Sequence, residues 1–494
     1  MDHAGLLSIL PPILAIVLAI WTRQVFFALG VGVWSGYLIL ADGNILDSFF
    51  STLQGLVTVF EDAGNTRTIL FCALVGALIV LIQKSGGVEG FIIRIQQLLD
   101  RLEARGNTNT RKLVPILAWL LGVIIFVETS ISSLTVGTLF RPLFDKLKLS
   151  REKLAWIADS SSAPASILIP FNGWGAFIMG LLAAQGFEDP FSSMLKALVW
   201  NFYPMLTLLM VPAFIWFGFN LKGMALAEKR VSETGKLLPD GAQPMVSEEI
   251  TAVETKPGIV PKGRNMIFPL AVMVVLMPIV LAYTGWEAAF EINPDAGFFD
   301  KLFVAIGKGS GSTAVLSAVT LSILFAFVLY RAQGFFKLGE LMDMTLKGIS
   351  GLVPLALLMV LAFAIGAVCK QLGTGIFLAE VSNQYLSPGL IPAIIFITSS
   401  LIAFSTGTSW GTFAIMLAIA IPMAREMGTD VYLAIAAALG GGVFGDHCSP
   451  ISDTTIISSM SAACDHIDHV RTQIPYAILA GAATVVMYLI AGMM

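Results

Sequence analysis

Two polar runs interrupt an otherwise apolar sequence. One is Gly445-Asp446-His447-Cys448-Ser449-Pro450-Ile451-Ser452-Asp453-Thr454-Thr455, behind an apolar stretch that begins Leu433-Ala434-Ile435. The other is Asp159-Ser160-Ser161-Ser162-Ala163-Pro164. A charged group in mid-bilayer costs about 2.5–3.5 kcal/mol on insertion scales, so an acid placed there needs a compensating role. Asp446 or Asp453 can ligate Na⁺ together with carbonyls and hydroxyls, because hard cations prefer oxygen. A buried carboxylate can instead carry a proton, and His447 can titrate near neutral pH. One carboxylate serving Na⁺ and H⁺ in turn gives antiport by competition. Asp159 is the matching candidate in the other run, and Glu128 is a lone acid beside a hydroxyl-rich tip. The plainer alternative has Asp446 and His447 in a structural hydrogen bond and Asp453 capping a helix. Two costly acids beside a histidine favour the functional reading.

Hydroxyl and amide side chains surround these acids in the sequence. Ser130 and Ser132 lie in one tip, and Thr406, Thr408 and Ser409 in another. Ser161 and Asn172 accompany Asp159, and Ser449, Ser452 and Thr454 accompany Asp446. Together they can form one pocket of neutral oxygens. Such a pocket, with helix N-termini, also suits a carboxylate. A small organic acid or amino acid is therefore the alternative cargo, driven by Na⁺ or H⁺.

The elements that must position these residues are membrane helices. Of 494 residues, 56% are hydrophobic and 13% charged, against roughly 25% charged in soluble domains. Mean hydropathy is +0.83. A helix needs about 20 apolar residues to cross a bilayer, and a lipid-exposed backbone must satisfy its own polar groups. The apolar runs are continuous rather than alternating, which argues against a β-barrel. The pattern predicts an all-α polytopic membrane protein. Crossings are expected near 5–21, 24–41, 66–84, 152–183 and 195–220, then near 266–284, 311–331, 350–370, 429–465 and 471–493. The first 20 residues lack a positive n-region and a cleavage site, so they read as a span rather than a signal peptide. Stretches 112–148 and 388–425 are broken in the middle by small polar residues and read as re-entrant hairpins. Gly440–Gly442 and Pro450 disfavour a continuous helix before Ser452 or Asp453. Segments 86–105 and 335–349 are amphipathic and suit the membrane surface. The polar segment 222–265 reads as a flexible linker.

The halves 1–221 and 266–494 echo each other. Gln83–Phe91 resembles Lys370–Phe377, Glu128–Ser133 resembles Ser405–Trp410, and Asp159–Pro164 resembles Asp446–Pro450. Five crossings per half make the repeat inverted, a plan that places transporter sites near the midplane. With the N-terminus outside, only Arg67, Lys196, Lys301, Lys308, Lys370 and Arg425 of the 29 Lys and Arg lie outside. The positive-inside rule supports that orientation and a cytoplasmic 222–265 loop.

Other classes fit poorly. The net charge is −4 and no basic arm is present, so no nucleic acid is expected. The four cysteines form neither a disulfide framework nor a CxxC pair. No Walker pattern appears. His466 and His469 are expected near the inner membrane face, away from His447, so a metalloenzyme site is not expected. The reading is a transporter, not an enzyme. It needs no cofactor beyond Na⁺ and H⁺ as transported ions. The partners expected are the lipid bilayer, Na⁺ and H⁺. A small carboxylate or amino acid and a second copy of the chain are further candidates.

The run Gly445–Thr455 closely resembles the signature of the NhaC-type Na⁺/H⁺ antiporter family, within the ion-transporter superfamily of paired hairpins and inverted repeats. Glu128–Ser133, Asp159–Pro164 and Thr406–Gly411 extend the resemblance over most of the chain. It implies a bacterial inner-membrane secondary carrier. Family members have been assigned to Na⁺/H⁺ exchange, malate–lactate exchange and amino-acid uptake.

Overall fold

The computed structural model describes residues 3–22, 24–91, 93–94, 97, 110–126, 129–244, 255–292, 297–374, 376–377, 387–450 and 452–494. Every regular element among them is a helix. The first half begins with α1 (Leu10–Thr22), α2 (Val25–Leu40), α3 (Ile45–Thr58) and α4 (Ala63–Lys84). A hairpin follows, made of α5 (Thr110–Ile124) and α6 (Thr129–Lys146). Next come two bent pairs. α7 (Arg151–Leu168) and α8 (Gly173–Ala184) meet at 42°, and α9 (Pro190–Leu198) and α10 (Phe202–Phe217) at 51°. α11 (Lys222–Thr234) stands between the halves. The second half has α12 (Arg264–Ile292), α13 (Phe298–Lys308), α14 (Gly311–Ala332) and α15 (Leu338–Gln371). Its hairpin is α16 (Ile391–Thr406) and α17 (Ser409–Met427). The broken pair α18 (Val431–Cys448) and α19 (Asp453–Ser461) then leads into α20 (His466–Gly492). Among the described residues, seven helices are long and apolar enough to cross a membrane, or up to nine if each bent pair is one span.

Local chemistry sets the helix ends. Ser150 caps α7 by accepting from Lys153 N–H, and Asn172 caps α8 by accepting from Gly175 N–H. Gly407 takes the left-handed φ of +68° that ends α16, a conformation open to glycine because it has no Cβ.

Helix runs further into both polar runs than their composition suggests. α7 runs unbroken through Asp159–Pro164, and the chain breaks at 169–172, beside Asn172. α18 likewise runs through Gly440–Gly442 and breaks only after Cys448. The glycines serve contact rather than interruption. A Cβ on Gly441 would meet the Phe396 carbonyl, and one on Gly445 the Ser400 carbonyl. Their absence lets α18 lie tightly on α16. The surface helix expected at 335–349 is instead the start of the 34-residue α15. Most of its expected counterpart at 86–105 lies outside the described residues.

The described parts of 222–265 are also more ordered than a flexible linker. α11 buries Met224, Ala227 and Val231. Further on, Lys256 N–H bonds to the Lys84 carbonyl and Lys262 N–H to the Gly86 carbonyl, docking this part on the end of α4. Residues 245–254 lie outside the described set.

Among the described residues, two apolar clusters form the core. The smaller is built around Leu121, Phe140, Phe144, Trp156, Ile215 and Tyr476. The larger draws on α2, α4, α8 and α14 to α18. Along α7, Leu154–Ala158 belong to the smaller cluster and Ala163 and Ile167 to the larger. Asp159–Ser162 lie between, fully buried and polar. The polar run is thus the seam between two cores.

Candidate functional site

At this seam the two polar runs meet. Asp159 sits two turns into α7 with no exposed surface. Its Oδ2 accepts from Gln473 Nε2 of α20 at 2.6 Å and from Thr455 Oγ1 of α19 at 3.2 Å. His469 Nε2, one turn earlier on α20, stands 3.5 Å from the same oxygen, within ion-pair range but long for a hydrogen bond. His447 Nε2, in the last turn of α18, stands at 4.0 Å. The His447 ring lies between two hydroxyls. Tyr203 of α10 is 2.7 Å from Nδ1, and Ser160 is 3.0 Å from Nε2. Gln473 Nε2 also donates to the His447 carbonyl at 2.6 Å.

The hydrogen-bond inventory shows what this cluster can do. Gln473 presents its amide nitrogen to two acceptors, so its oxygen must point away. That oxygen and Asp159 Oδ1 are both buried and have no hydrogen-bond partner among the described residues. Leaving a buried acceptor bare costs on the order of 1–3 kcal/mol. A bare, buried carboxylate oxygen such as Asp159 Oδ1 suits a hard cation. Among the described residues, no three His, Cys, Asp or Glu side chains are arranged to hold a metal ion. A cation here would therefore rest on one carboxylate and neutral oxygens. The imidazole offers the other half of the chemistry. Neutral histidine needs one donor and one acceptor, whereas the cation donates twice. A hydroxyl can play either part, so His447 can gain or lose a proton without giving up either contact.

The remaining sequence candidates fall into separate groups. Asp446 is buried, and its Oδ2 accepts from Ser409 Oγ at 2.7 Å, joining the end of α18 to the second arm of the second hairpin. Ser449 donates to the Phe404 carbonyl, and Ser452 and Thr454 face each other at 3.0 Å. Ser132 donates to the Gly122 carbonyl, tying the arms of the first hairpin. Ser161 and Thr406 donate to carbonyls of their own helices, the local bonding that competes with a site role. Asn172 donates to the carbonyls of Phe126 and Ser166. Thr408 precedes α17 without making a side-chain cap. Asp453 begins α19, but its side chain lies outside the described set, as do that of Ser130 and the whole of Glu128.

Three members of the cluster escaped the sequence reading. Tyr203, His469 and Gln473 lie on helices other than those of the polar runs. His469 also corrects an expectation, because it is fully buried and faces the same Asp159 oxygen as His447 rather than lying away from it. The available signal was the four-residue spacing of His469 and Gln473, which places both on one face of α20. A cavity of about 370 Å³ lies elsewhere, bounded by Tyr37, Gln54, Asn65, Phe363 and Gln371, and shares no residue with the cluster.

A family model described as the Na⁺/H⁺ antiporter family matches residues 176–493. An uncharacterized protein of Haemophilus influenzae is 33% identical over 98% of this chain and 90% of its own. The Na⁺/H⁺ antiporter NhaC of Alkalihalophilus pseudofirmus is 27% identical over 35% of this chain and 37% of its own. The crystal structure of the Alcanivorax borkumensis YdaH transporter superposes with a TM-score of 0.53 at 14% identity, covering 92% of this chain and 89% of that one. That likeness is one of fold.

Proposed function

The chain belongs to the Na⁺/H⁺ antiporter family, and we propose that it exchanges Na⁺ for H⁺ at Asp159 by alternating access. The observation that carries the site assignment is the fully buried Asp159, on which Thr455, Gln473, His447 and His469 of three other helices converge. In the Na⁺-bound state Asp159 Oδ1 holds the cation, and Thr455 and the Gln473 amide fix the carboxylate's other oxygen. In the alternate state a proton replaces Na⁺ on Asp159, beside His447, whose hydroxyl neighbours accommodate both of its charge states. Because Asp159 cannot hold Na⁺ and a proton on the same oxygen, the two ions exclude each other, and exclusion is what couples them.

The halves 1–221 and 266–494 form two inverted repeats in a bacterial inner membrane, with the N-terminus outside and 222–265 in the cytoplasm. The two hairpins enter and leave on one side each. Exchange of Na⁺ for H⁺ is favoured over an organic cargo for a physical reason. Ser132, Ser161, Asn172, Thr406 and Ser449, which could have received a carboxylate, already donate to backbone carbonyls. The test is Asp159→Asn in everted vesicles. Na⁺ should no longer dissipate a preformed proton gradient, and wild-type dissipation in this variant would refute the assignment.

A further inference from the structure

One segment, residues 221–243, holds the starts of both α7 and α20, the helices that carry Asp159 and Gln473. Glu152 in the first turn of α7 has a side chain only 1% exposed, and Arg230 of α11 donates to both of its oxygens, at 2.8 and 3.1 Å. Arg230 also donates to the carbonyls of Lys236 and Leu237, which fixes its fork. Glu228, two residues earlier, accepts from the backbone N–H of Ser150 at 2.8 Å and pairs with Lys153 at 3.5 Å. On α20, Tyr476 OH accepts from Leu221 N–H at 2.9 Å, and Gly223 packs against Thr472. Asp465, the N-cap of α20, accepts from Gln243 N–H at 2.9 Å. Arg151 forks onto Asp145 and donates to the Ala463 carbonyl behind α19.

Helical spacing connects these contacts to the cluster. Glu152 and Asp159 are seven residues apart, two turns along one face of α7. Tyr476 follows Gln473 by three residues on α20, again one face. A buried ion pair is a poor way to add stability, since desolvation offsets its attraction, but it enforces one geometry. We propose that Arg230 and Glu228 are positioning residues: α11 acts as a template that sets the rotation of α7 against α20, and through it the distance of Asp159 from Gln473. The inference rests on Asp159 being the exchange site.

The test uses the full chain in everted vesicles, with NaCl titrated against choline chloride. Arg230→Ala should raise the Na⁺ concentration for half-maximal exchange about 10-fold, within the usual range for coupling between sites, while maximal rate changes little. The swap Glu152→Arg with Arg230→Glu should recover most of the shift, which a general loss of folding would not do. Should Arg230→Ala fail to fold, Arg230→Lys keeps the charge without the fork and should show a smaller shift in the same direction. An unchanged half-saturation in the folded variant, or no recovery in the swap, overturns the proposal. Backbone hydrogen exchange supplies a readout independent of Na⁺. Arg230→Ala should speed exchange at 155–162 and 470–477, and the swap should slow it again; equal rates in all three proteins overturn the template. If wild type shows no Na⁺-dependent exchange but these rates shift, the exchange reading fails while the template stands.

Discussion

Asp159 and Asp446 are both buried acids in polar runs that resemble one another, yet the fold holds them differently. Asp159 lies inside a continuous helix and meets side chains from α19 and α20. Asp446 lies in the last turn before a break and is held by Ser409 at the foot of a hairpin arm. The neighbour of Asp446, His447, is the residue that reaches across to the Asp159 cluster. Under the proposed function, similar motifs therefore divide the work. One half contributes the carboxylate; the other contributes a ring, a backbone carbonyl and an anchor. Matching sequence does not make matching function, because what a side chain can do depends on which elements cross beside it.

Substitutions can sharpen this contrast. The largest effect expected is loss of exchange in Asp159→Asn. Asp446→Asn should be milder, lowering exchange roughly 10-fold, because a hydrogen bond to a charged acceptor is worth about 1.5–3 kcal/mol and the amide keeps part of it. Ser409→Ala removes the same contact from the other side and should give a similar loss in the same vesicle assay. A loss in Asp446→Asn as complete as in Asp159→Asn would erase the distinction between exchange centre and anchor. Tyr203→Phe deletes one neutral hydrogen bond to His447 and should slow exchange a few-fold, on the order of 1 kcal/mol. Ser161→Ala should leave exchange unchanged, because that hydroxyl is bonded to the Ile157 carbonyl of its own helix.

Much of this arrangement was legible in the sequence. Continuous apolar runs mark the helices, and polar interruptions mark the hairpins and the α18–α19 break. Asp159 and His447 stand out because ionisable groups at such depth are rare. What remained hidden follows from the limits of local pattern. Gln473 reaches Asp159 across 314 positions of sequence, and Tyr203 reaches His447 across 244. No local periodicity encodes such pairings. Gly440–Gly442 misled for a related reason. Glycine lowers helix propensity by about 1 kcal/mol relative to alanine, but close packing of α18 on α16 outweighs that loss. The site role of Ser161 was equally undecidable, since a hydroxyl can face a ligand or its own backbone with the same sequence around it.

Direct Na⁺ binding to the purified protein in detergent, followed by calorimetry at fixed pH, tests the central claim without the complications of flux. Wild type and Asp446→Asn should both bind Na⁺, whereas Asp159→Asn should show no binding heat. Binding that survives in Asp159→Asn and disappears in Asp446→Asn would put the cation on the other carboxylate and contradict the account.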